Sequence, residues 1–377
     1  MHMTPHFFIT GGTGLVGRNL LPRLLRTFPQ STITLLARAS NAGEAHARAN
    51  AIAQQIEFEE GIPDARRRID GVAGDVSFNH CGLNPAQLER IVSNTTHIIH
   101  GAATIRFDHP IDEARAINCG GTRRLLAIAH MCAKQGNFKR FVYIGSSSVS
   151  GQRGGNIFEH ELEKGQTFFN TYEQSKNESE RIVRDDFDRI PCTVFRPSII
   201  IGDSRTGKTS SFNVIYIPLR LVQKGLLTYV PGTPDTLMDL VPIDWVDDAM
   251  VHIMSKEESV GKVYHITAGE KRAARLDEVV VAAVNYFDAH TPLRHPRKME
   301  FISKEEYERR RSTMRGREDA LMSQLDTLLP YVTVNRLFDS TNADELLAGS
   351  GIEFPRFKDY SDKIFDYCVQ TNWGKNS

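Results

Sequence analysis

The sequence predicts an α/β fold, a doubly wound parallel sheet with a smaller and mostly helical C-terminal lobe. Two observations predict it. Through about the first 200 residues, short apolar runs rich in Val, Ile and Phe alternate with amphipathic stretches that are typical of helices. After Gly202 this alternation ends, and the apolar spacing in residues 203–240 and from 269 onward becomes irregular. Because strands joined in series by helices pair in parallel through right-handed crossovers, the first part predicts an open sheet covered on both faces.

The individual elements follow from these patterns. Apolar runs predict strands at residues 6–10, 32–37, 71–74, 97–100, 140–145, 193–201 and 263–267. Amphipathic stretches at 18–27 and 121–134 predict helices between them. We therefore expect residues 1–202 and 241–268 to form the sheet domain, and residues 203–240 and 269–377 to form a substrate-binding lobe that closes over the carboxyl edge of the sheet.

Composition excludes several classes of protein. The chain has 377 residues, with 46 Lys and Arg balanced by 46 Asp and Glu, and this zero net charge disfavours a nucleic-acid partner. A composition that is 40% hydrophobic and 24% charged excludes a disordered chain. No apolar run approaches the roughly 18 residues of a membrane span, and the N-terminal stretch HFFIT is too short for a signal peptide. We therefore expect a cytoplasmic protein.

The spacing of cysteine and histidine predicts no metal site. Five cysteines form no CxxC pair, so they are expected to be small buried side chains rather than ligands or disulfide partners. His290 and His295 have no partner cysteines near them, which disfavours a zinc site.

A glycine-rich segment, ITGGTGLVG, follows the first strand and opens a helix. Gly11, Gly14 and Gly17 stand at GxxGxxG spacing, which allows a sharp turn, close approach of backbone N–H groups to a pyrophosphate, and tight packing of helix on strand. The segment predicts a Rossmann-type dinucleotide cradle formed by Gly11, Thr13, Gly14, Leu15, Val16 and Gly17.

The end of the second strand indicates which dinucleotide binds. Arg38 closes the stretch LLAR, where an acidic residue would accept from a ribose 2′-hydroxyl, and its guanidinium suits a 2′-phosphate instead. We therefore predict NADP(H) as cofactor. Arg48 is either a second residue that binds the 2′-phosphate or an exposed helix residue. Asp75, followed by Val76 at the end of the next strand, either accepts from the adenine amino group or caps a turn.

A catalytic pair occurs in the stretch YEQSK. Tyr172 and Lys176 are four residues apart, so a helix places both on one face. A phenol is a poor acid at neutral pH unless a nearby cation favours its phenolate, and Lys176 supplies that cation and can hold a nicotinamide ribose. The stretch IGSSSVSG, directly after a strand, offers hydroxyl groups that can donate to a substrate oxygen.

Further motifs stand in one order between residues 6 and 268, namely TGGTGLVG, LLAR, AGDVSFNHCGLN, IIHGAATIRFD, INCGGTRRLL, YIGSSSVSG, YEQSKNESE, FRPSIIIGDSRTG and LVPIDWVDDA. In this order they resemble the extended short-chain dehydrogenase/reductase superfamily, and most closely its thioester reductase and fatty acyl-CoA reductase branch, with the male-sterility type of NAD-binding domain. The glycine motif and YxxSK are shared by the whole superfamily. The insert at 39–70, the GDVS…GLN segment, HxAAxxxFD and GDSRTG are the stretches selective for the acyl-reducing branch.

The resemblance implies roles for individual residues. Ser146 becomes the catalytic hydroxyl, at a position where many acyl reductases carry threonine, with Ser147 as a fallback. Tyr172 becomes the proton donor, Lys176 its electrostatic partner, and Asn118 the residue that orders a proton-relay water. The resemblance also implies cofactor contacts at Ala102, Ala103, Tyr172, Lys176, Pro197 and Ser198. For the two alanines, simple packing explains the positions equally well.

The activity implied by the resemblance is NADPH-dependent reduction of an acyl thioester to an aldehyde, with further reduction to an alcohol left open. The acyl group would arrive on CoA or on a separate acyl carrier protein. The alternatives are a carbonyl reductase or hydroxyl dehydrogenase of sterol or flavonoid type, a nucleotide-sugar epimerase, which Arg38 disfavours, and a non-catalytic NADP sensor. The sequence leaves the oligomeric state open.

The resemblance fades beyond about residue 270, where two features have both a plain and a functional interpretation. Residues 297–317 hold eight Lys and Arg against four Glu, and are expected to be helical from Lys304. This basic stretch is a solvated helix face or a docking site for a phosphate-bearing carrier. A set of apolar residues forms the core face of a helix or lines an acyl channel, namely Phe212, Ile215, Ile217, Leu219, Leu221 and Val222.

Overall fold

The computed structural model describes residues 4–326 and 328–375, so residues 1–3, 327, 376 and 377 of the predicted domains lie outside the described chain. Its strands, numbered in chain order, are β1 His6–Thr10, β2 Thr32–Ala37, β3 Ile69–Ala73, β4 His97–His100, β5 Arg140–Ile144, β6 Gly155–Ile157, β7 Cys192–Pro197, β8 Ile199–Ile201, β9 Tyr229–Pro231, β10 Leu237–Met238, β11 Leu240–Pro242, β12 Lys262–Ile266, β13 Ala274–Arg275, β14 Glu300–Ile302 and β15 Arg336–Phe338.

The α-helices are numbered in the same way. They are α1 Leu15–Thr27, α2 Ala42–Glu60, α3 Ala65–Arg68, α4 Pro85–Asn94, α5 Ile111–Lys134, α6 Thr171–Arg184, α7 Tyr216–Gln223, α8 Ile243–Met254, α9 Gly269–Arg272, α10 Leu276–His290, α11 Lys304–Thr313, α12 Gly316–Asp326, α13 Leu329–Thr333, α14 Thr341–Leu347 and α15 Phe357–Gln370. Among the described residues, no helix is long and apolar enough to cross a lipid bilayer.

The central sheet has seven strands in the order β12-β7-β5-β4-β1-β2-β3, and every pair in it is parallel. The predicted α/β fold, doubly wound and Rossmann-type, is thereby confirmed. Parallel strands bring their carboxyl ends to one edge, where ligands of such sheets bind. The loops that follow β1, β4 and β5 carry the glycine segment, Ala102 and Ser146, so the topology gathers these residues at that edge.

The strand predicted at residues 193–201 was wrong in its extent, and the strand predicted at 71–74 begins two residues earlier, at Ile69. The structure divides residues 193–201 at Ser198 into β7 and β8, and β8 pairs with β11 outside the central sheet. The cause lies in the hydrogen bonding on either side of the break. Ser198 N still donates to Ile266 O of β12, at 3.2 Å, whereas the next amide, of Ile199, donates to Asp239 O at 3.2 Å. The chain therefore leaves the sheet at Ser198.

Alternating side chains of the strands fill two cores, one on each face of the sheet. In β1, Phe7 and Ile9 belong to the core under α1, α2 and α8, while Phe8 belongs to the core under α5. This alternation is the two-residue period of a strand whose faces are both covered. All five cysteines are buried and free.

A third apolar core lies in the C-terminal part of the chain, where α7, α10 and α15 pack around Phe287 and Phe365. This part is mostly helical, as predicted. Not all of it stays apart from the sheet domain, because Ala343 and Leu347 of α14 belong to the core on the α8 face of the sheet. The proposed domain boundaries at 202, 240 and 268 stay a prediction.

A buried ion pair connects α6 to the central sheet. Arg196 of β7 donates from Nε and NH2 to the two carboxylate oxygens of Glu180, at 2.8 and 2.7 Å, and both side chains are at most 1% exposed. Burial raises the pKa of Glu180, but Arg196 and Arg184 outweigh it and hold that pKa below its usual value. The two-pronged geometry fixes the rotation of α6 against β7.

Replacing Glu180 with glutamine should therefore destabilise the fold strongly. The substitution leaves the guanidinium of Arg196 buried without its counter-charge, which costs about 3–5 kcal/mol. We expect urea denaturation of Glu180→Gln to show a loss of this size in the free energy of unfolding. The matched control is Glu163→Gln, which breaks an exposed ion pair with Arg181 and should cost no more than about 1 kcal/mol. Equal losses for the two variants would contradict this assignment.

Candidate active site

The glycine segment between β1 and α1 forms a tight turn that side chains would obstruct. Gly11 has a φ of +77°, and a Cβ there would lie 2.7 Å from the backbone nitrogen of Ala102. A Cβ at Gly17 would lie 2.3 Å from the carbonyl oxygen of Gly11, which also accepts from Gly14 N at 3.0 Å. The turn therefore requires glycine at Gly11 and at Gly17, as the spacing predicts.

The start of α1 fits a pyrophosphate. Among the described residues, no side chain caps this helix at Gly14, and no acidic side chain occupies its first turn. Thr13 and Gly14 are exposed, while Leu15 and Val16 are half-buried. The first N–H groups of this 13-residue helix have no partner within the helix, and they lie beside glycines that leave room for a phosphate. The residues present fit the pyrophosphate of a nicotinamide dinucleotide.

Two arginines lie beyond β2, and only one of them is unengaged. Arg38 is exposed, and within residues 4–326 and 328–375 its guanidinium has no hydrogen-bond or ion-pair partner. Arg48 is held in place, since it donates to Arg38 O at 2.6 Å and to Glu44 Oε1 at 2.5 Å. A hydrogen bond from Ser40 N and the ion pair with Arg48 lower the pKa of Glu44 to about 2. Arg38 is thus the better candidate for a 2′-phosphate clamp.

Asp75 and Val76 follow β3 and shape a turn. Asp75 Oδ1 accepts from the backbone nitrogen and the hydroxyl of Ser77, at 2.8 and 2.7 Å, which matches the turn interpretation of this residue. Val76 is buried and packs beneath Gly121 of α5. Contact of Asp75 with adenine stays a prediction.

The structure brings Ser146 and Tyr172 together. Ser146 lies in the turn after β5, where its Oγ is 2.8 Å from the Oγ of Ser148, and its side chain is close enough to the Tyr172 hydroxyl to act on the pKa of that phenol. Tyr172 lies in the first turn of α6, which begins after Asn170 accepts from Glu173 N at 3.0 Å. The hydroxyl and the phenol therefore face one point at the carboxyl edge of the sheet.

Lys176 lies one turn after Tyr172 and is buried. Its Nζ donates to Ile144 O, the last residue of β5, at 2.8 Å, and lies 4.4 Å from the centre of the Tyr143 ring. Burial lowers the pKa of Lys176 to about 7, against the opposing charge of Glu180. Burial also raises the pKa of Tyr172, and the side chain of Ser146 opposes this rise. In the protein alone desolvation is the largest influence on the Tyr172 pKa, and the expectation that Lys176 favours the phenolate stays a prediction.

Asn118 of α5 is buried, and its amide is fully engaged. Its Oδ1 accepts from Thr104 N at 2.8 Å, and its Nδ2 donates to Thr104 O at 3.2 Å and to Ser175 Oγ at 2.9 Å. The amide thus ties the loop after β4 to α6. Half-buried Ala102 and Ala103 lie in this loop. A proton-relay role for Asn118 stays a prediction.

Pro197 and Ser198 stand where β7 ends. Ser198 donates to Asp239 Oδ1 at 2.5 Å, and Asp239 also accepts from the amides of Ala268 and Gly269, at 2.8 and 3.0 Å. This half-buried cluster holds the end of β7 against the segment after β12. The predicted contact of Pro197 and Ser198 with nicotinamide stays a prediction.

Sequence reasoning missed three residues beside the site. Glu173 is buried next to Tyr172, and its Oε1 accepts from the hydroxyl of Tyr331 at 3.1 Å. Arg336 is also buried and lies 5.4 Å from the ring centres of both Phe169 and Tyr331. Tyr331 and Arg336 come from a part of the chain more than 150 residues after Tyr172, where no motif spacing marks them.

The basic stretch is helical from Lys304, as predicted: it contains α11 and ends at the first two residues of α12. Arg309 and Arg310 pair with Glu306 at 2.7 Å, and Arg311 pairs with Asp326 of α12 at 3.0 Å. Arg309 and Arg310 lower the pKa of Glu306 to about 2. These internal partners favour a structural role for the three arginines. The side chain of Arg317 lies outside the described part of the chain.

The buried lysine makes stability depend on pH. Lys176 has a folded pKa of about 7, whereas an unfolded lysine titrates near 10.4, so between these values the unfolded chain carries one proton more than the folded chain. The free energy of unfolding should therefore rise with pH across this window, by up to about 1.4 kcal/mol per pH unit.

Denaturation at several pH values checks this expectation. In the variant Lys176→Met, the free energy of unfolding should no longer rise with pH across this window. Lys224→Met, at an exposed position, should keep the rise. An unchanged slope in Lys176→Met would contradict the burial of a neutral amine.

Comparison with known proteins identifies the family. A family model of NAD-binding domains, described as "Male sterility protein", matches residues 9–250. The chain is 28% identical over 277 residues to "Fatty acyl-CoA reductase wat" of Drosophila melanogaster, and the match covers 65% of this chain and 53% of that protein. It is 27% identical over 281 residues to "Non-canonical nonribosomal peptide synthetase FrzA" of a Cladobotryum species, and covers 72% of this chain and 26% of that protein. The match thus spans about half the length of the first relative and about a quarter of the length of the second.

Solved structures agree with this assignment. The terminal R domain from the myxalamid PKS-NRPS biosynthetic pathway superposes with a TM-score of 0.81 at 25% identity, over 99% of this chain and 92% of that one. The reductase domain of a nonribosomal peptide synthetase from Mycobacterium tuberculosis shares the fold with a TM-score of 0.73 at 19% identity, over 99% and 93% of the two chains. The predicted resemblance is confirmed: the chain belongs to the Male sterility protein family of NAD-binding domains, in the extended short-chain dehydrogenase/reductase superfamily.

Proposed function

We propose that the protein is an NADPH-dependent reductase that converts an acyl thioester, carried on CoA or on an acyl carrier protein, to the aldehyde. One observation carries the proposal. Ser146 and Tyr172 meet beside a buried Lys176, at the same sheet edge as the glycine cradle, in a chain that superposes along 99% of its length with a terminal R domain. Names of the relatives, a fatty acyl-CoA reductase and nonribosomal peptide synthetases, support the thioester as substrate.

The chain's residues serve this reaction through hydrogen bonding. A bound reduced nicotinamide supplies a hydride to a carbonyl carbon. Ser146 Oγ and the Tyr172 hydroxyl donate hydrogen bonds to the thioester oxygen, on which negative charge grows. Burial holds the pKa of Tyr172 above its usual value, so the phenol keeps its proton at neutral pH in the protein alone. The negative charge that grows on the substrate oxygen is what draws this proton from the phenol. Collapse of the resulting hemithioacetal expels the thiol and leaves the aldehyde.

The choice of NADPH over NADH rests on Arg38. Its guanidinium is exposed and unpaired among the described residues, at the end of β2 where the adenosine ribose lies in Rossmann-type folds. A carboxylate at this position would repel a 2′-phosphate, whereas a guanidinium pairs with it. Arg48, which donates to Arg38 O, supports the backbone of the same corner.

Removal of the Tyr172 hydroxyl should abolish turnover. We expect wild-type protein to consume NADPH and release thiol in equal amounts from acyl-CoAs, and Tyr172→Phe to lose at least about a hundredfold in kcat with nearly unchanged NADPH affinity. Tyr367→Phe, a tyrosine of α15, is the matched control and should keep full activity. NADPH consumption by aldehydes or ketones with no thiol release from any thioester would instead establish a carbonyl reductase.

Reversal of charge at Arg38 should separate the two dinucleotides. Loss of a charge-assisted hydrogen bond costs about 1.5–3 kcal/mol, so Arg38→Glu should weaken NADPH binding at least about tenfold and leave NADH binding almost unchanged. Calorimetric titration with each dinucleotide measures this difference. Arg189→Glu, an exposed arginine just before β7, is the control. An equal loss for NADPH and NADH in Arg38→Glu would mean that Arg38 does not contact the 2′-phosphate.

A further inference from the structure

A buried carboxylate stands next to the Tyr172 phenol, and two hydrogen bonds hold it in place. Glu173 is 0% exposed and follows Tyr172 in the first turn of α6. Its Oε2 accepts from Phe169 N at 3.1 Å, and its Oε1 accepts from the Tyr331 hydroxyl, also at 3.1 Å. These bonds fix the carboxylate beside the phenol and offset part of the cost of burying it.

Arg336 supplies the positive charge that balances Glu173. Its side chain is buried, and its Nε and Nη2 have no hydrogen-bond partner among the described residues. Burial raises the pKa of Glu173, and the charge of Arg336 opposes this rise. Burial lowers the pKa of Arg336, and the charge of Glu173 opposes this fall. The two buried charges therefore stabilise each other.

Strand pairing fixes the position of Arg336. Strand β15 is parallel to β6, with Arg336 opposite Gly155, and Asn335 O accepts from Gly155 N at 2.9 Å. Tyr331 comes from the preceding helix, α13. The hydroxyl and the guanidinium that face Glu173 thus both come from the C-terminal part of the chain, and the backbone of β6 anchors the segment that carries them.

We propose that Glu173 is a positioning residue for proton transfer from Tyr172, and that Tyr331 and Arg336 hold its carboxylate beside the phenol. The inference rests on the proposed function, in which Tyr172 gives its proton to the substrate oxygen. A negative charge beside a phenol disfavours the phenolate. Burial makes the largest contribution to the raised pKa of Tyr172, and Glu173 raises that pKa further. The phenol therefore keeps its proton until negative charge grows on the substrate oxygen.

The other groups around Tyr172 do not supply a negative charge. Lys176 lies one turn further along α6 and is positive when it is protonated. Phe107 contacts the phenol ring with its own ring, at 5.7 Å between the centres, and is uncharged. The neighbours with a hydroxyl group are uncharged near neutral pH, namely Tyr143 of β5, Ser146 after β5 and Tyr331 of α13. Among the described residues, Glu173 is therefore the carboxylate that acts on the phenol.

Titration of the phenol measures this effect directly. Placing 3,5-difluorotyrosine at the position of Tyr172 brings the titration to lower pH, because fluorine lowers the pKa of a phenol, and fluorine NMR then reports its ionisation. In Glu173→Gln, which removes the charge, the pKa of this phenol should be lower by about one pH unit or more. The matched control is Glu178→Gln on the same helix, whose carboxylate pairs with Arg115. It should leave the pKa of the phenol unchanged.

Two further variants separate the charge of Glu173 from its structural role. Glu173→Asp keeps the charge on a shorter side chain, so the pKa of the phenol should stay closer to the wild-type value than in Glu173→Gln. A purely structural role predicts the reverse order, because glutamine preserves the shape of the side chain. Glu173→Gln leaves Arg336 buried without its counter-charge, so the double variant with Arg336→Met, which removes both charges, repeats the test in a fold without that cost. It should also lower the pKa of the phenol.

Activity connects the titration to the reaction. With an acyl-CoA as substrate, kcat/KM for NADPH consumption should fall at alkaline pH as the phenol ionises, and this fall should begin at lower pH in Glu173→Gln. An unchanged pKa of the phenol in Glu173→Gln and in the double variant would overturn the proposal, and so would a lowered pKa with an unchanged alkaline fall. Absence of NADPH consumption with every acyl-CoA in the wild type would contradict the proposed function, and the titration would still decide whether Glu173 controls the ionisation of Tyr172.

Discussion

The hydrogen bond from Lys176 Nζ to Ile144 O fixes α6 on the carboxyl end of β5, and the geometry of the candidate site depends on it. The same face of α6 presents Tyr172, Lys176 and Glu180 at successive turns. Tyr172 lies next to Ser146, and Lys176 binds the end of β5. Glu180 pairs with Arg196 of β7. One face of α6 therefore carries the Tyr172 phenol, the lysine that anchors the helix to β5, and the glutamate whose ion pair sets the helix rotation.

Burial is the common cause of the unusual electrostatics at this helix. Desolvation lowers the pKa of Lys176 to about 7 and raises the pKa of Tyr172, so both groups favour their neutral forms in the protein. Glu180 stays charged only because two arginines, Arg184 and Arg196, compensate it. Tyr172 thus lies in low-dielectric surroundings, next to an amine that titrates close to neutral pH.

Much of this arrangement is predictable from the sequence, because its causes are local. Apolar alternation places β1, β2 and β4 at their observed bounds, and glycine spacing marks the turn at Gly11 and Gly17. The break at Ser198 is not local, since it depends on bonds to Ile266 and Asp239 from distant segments. The contact of Tyr331 with Glu173 and the rise in the pKa of Tyr172 also depend on parts of the chain that are distant in sequence. No local motif predicts which distant residues bury these side chains.

The central claim is that this site delivers hydride to the carbonyl carbon of an acyl thioester. Mass spectrometry of the products formed from dodecanoyl-CoA and NADPH deuterated at nicotinamide C4 tests it most directly. The account predicts dodecanal with deuterium on its carbonyl carbon, together with an equal amount of free CoA. Free CoA accompanied by unlabelled dodecanoic acid would show hydrolysis without reduction, and would contradict it.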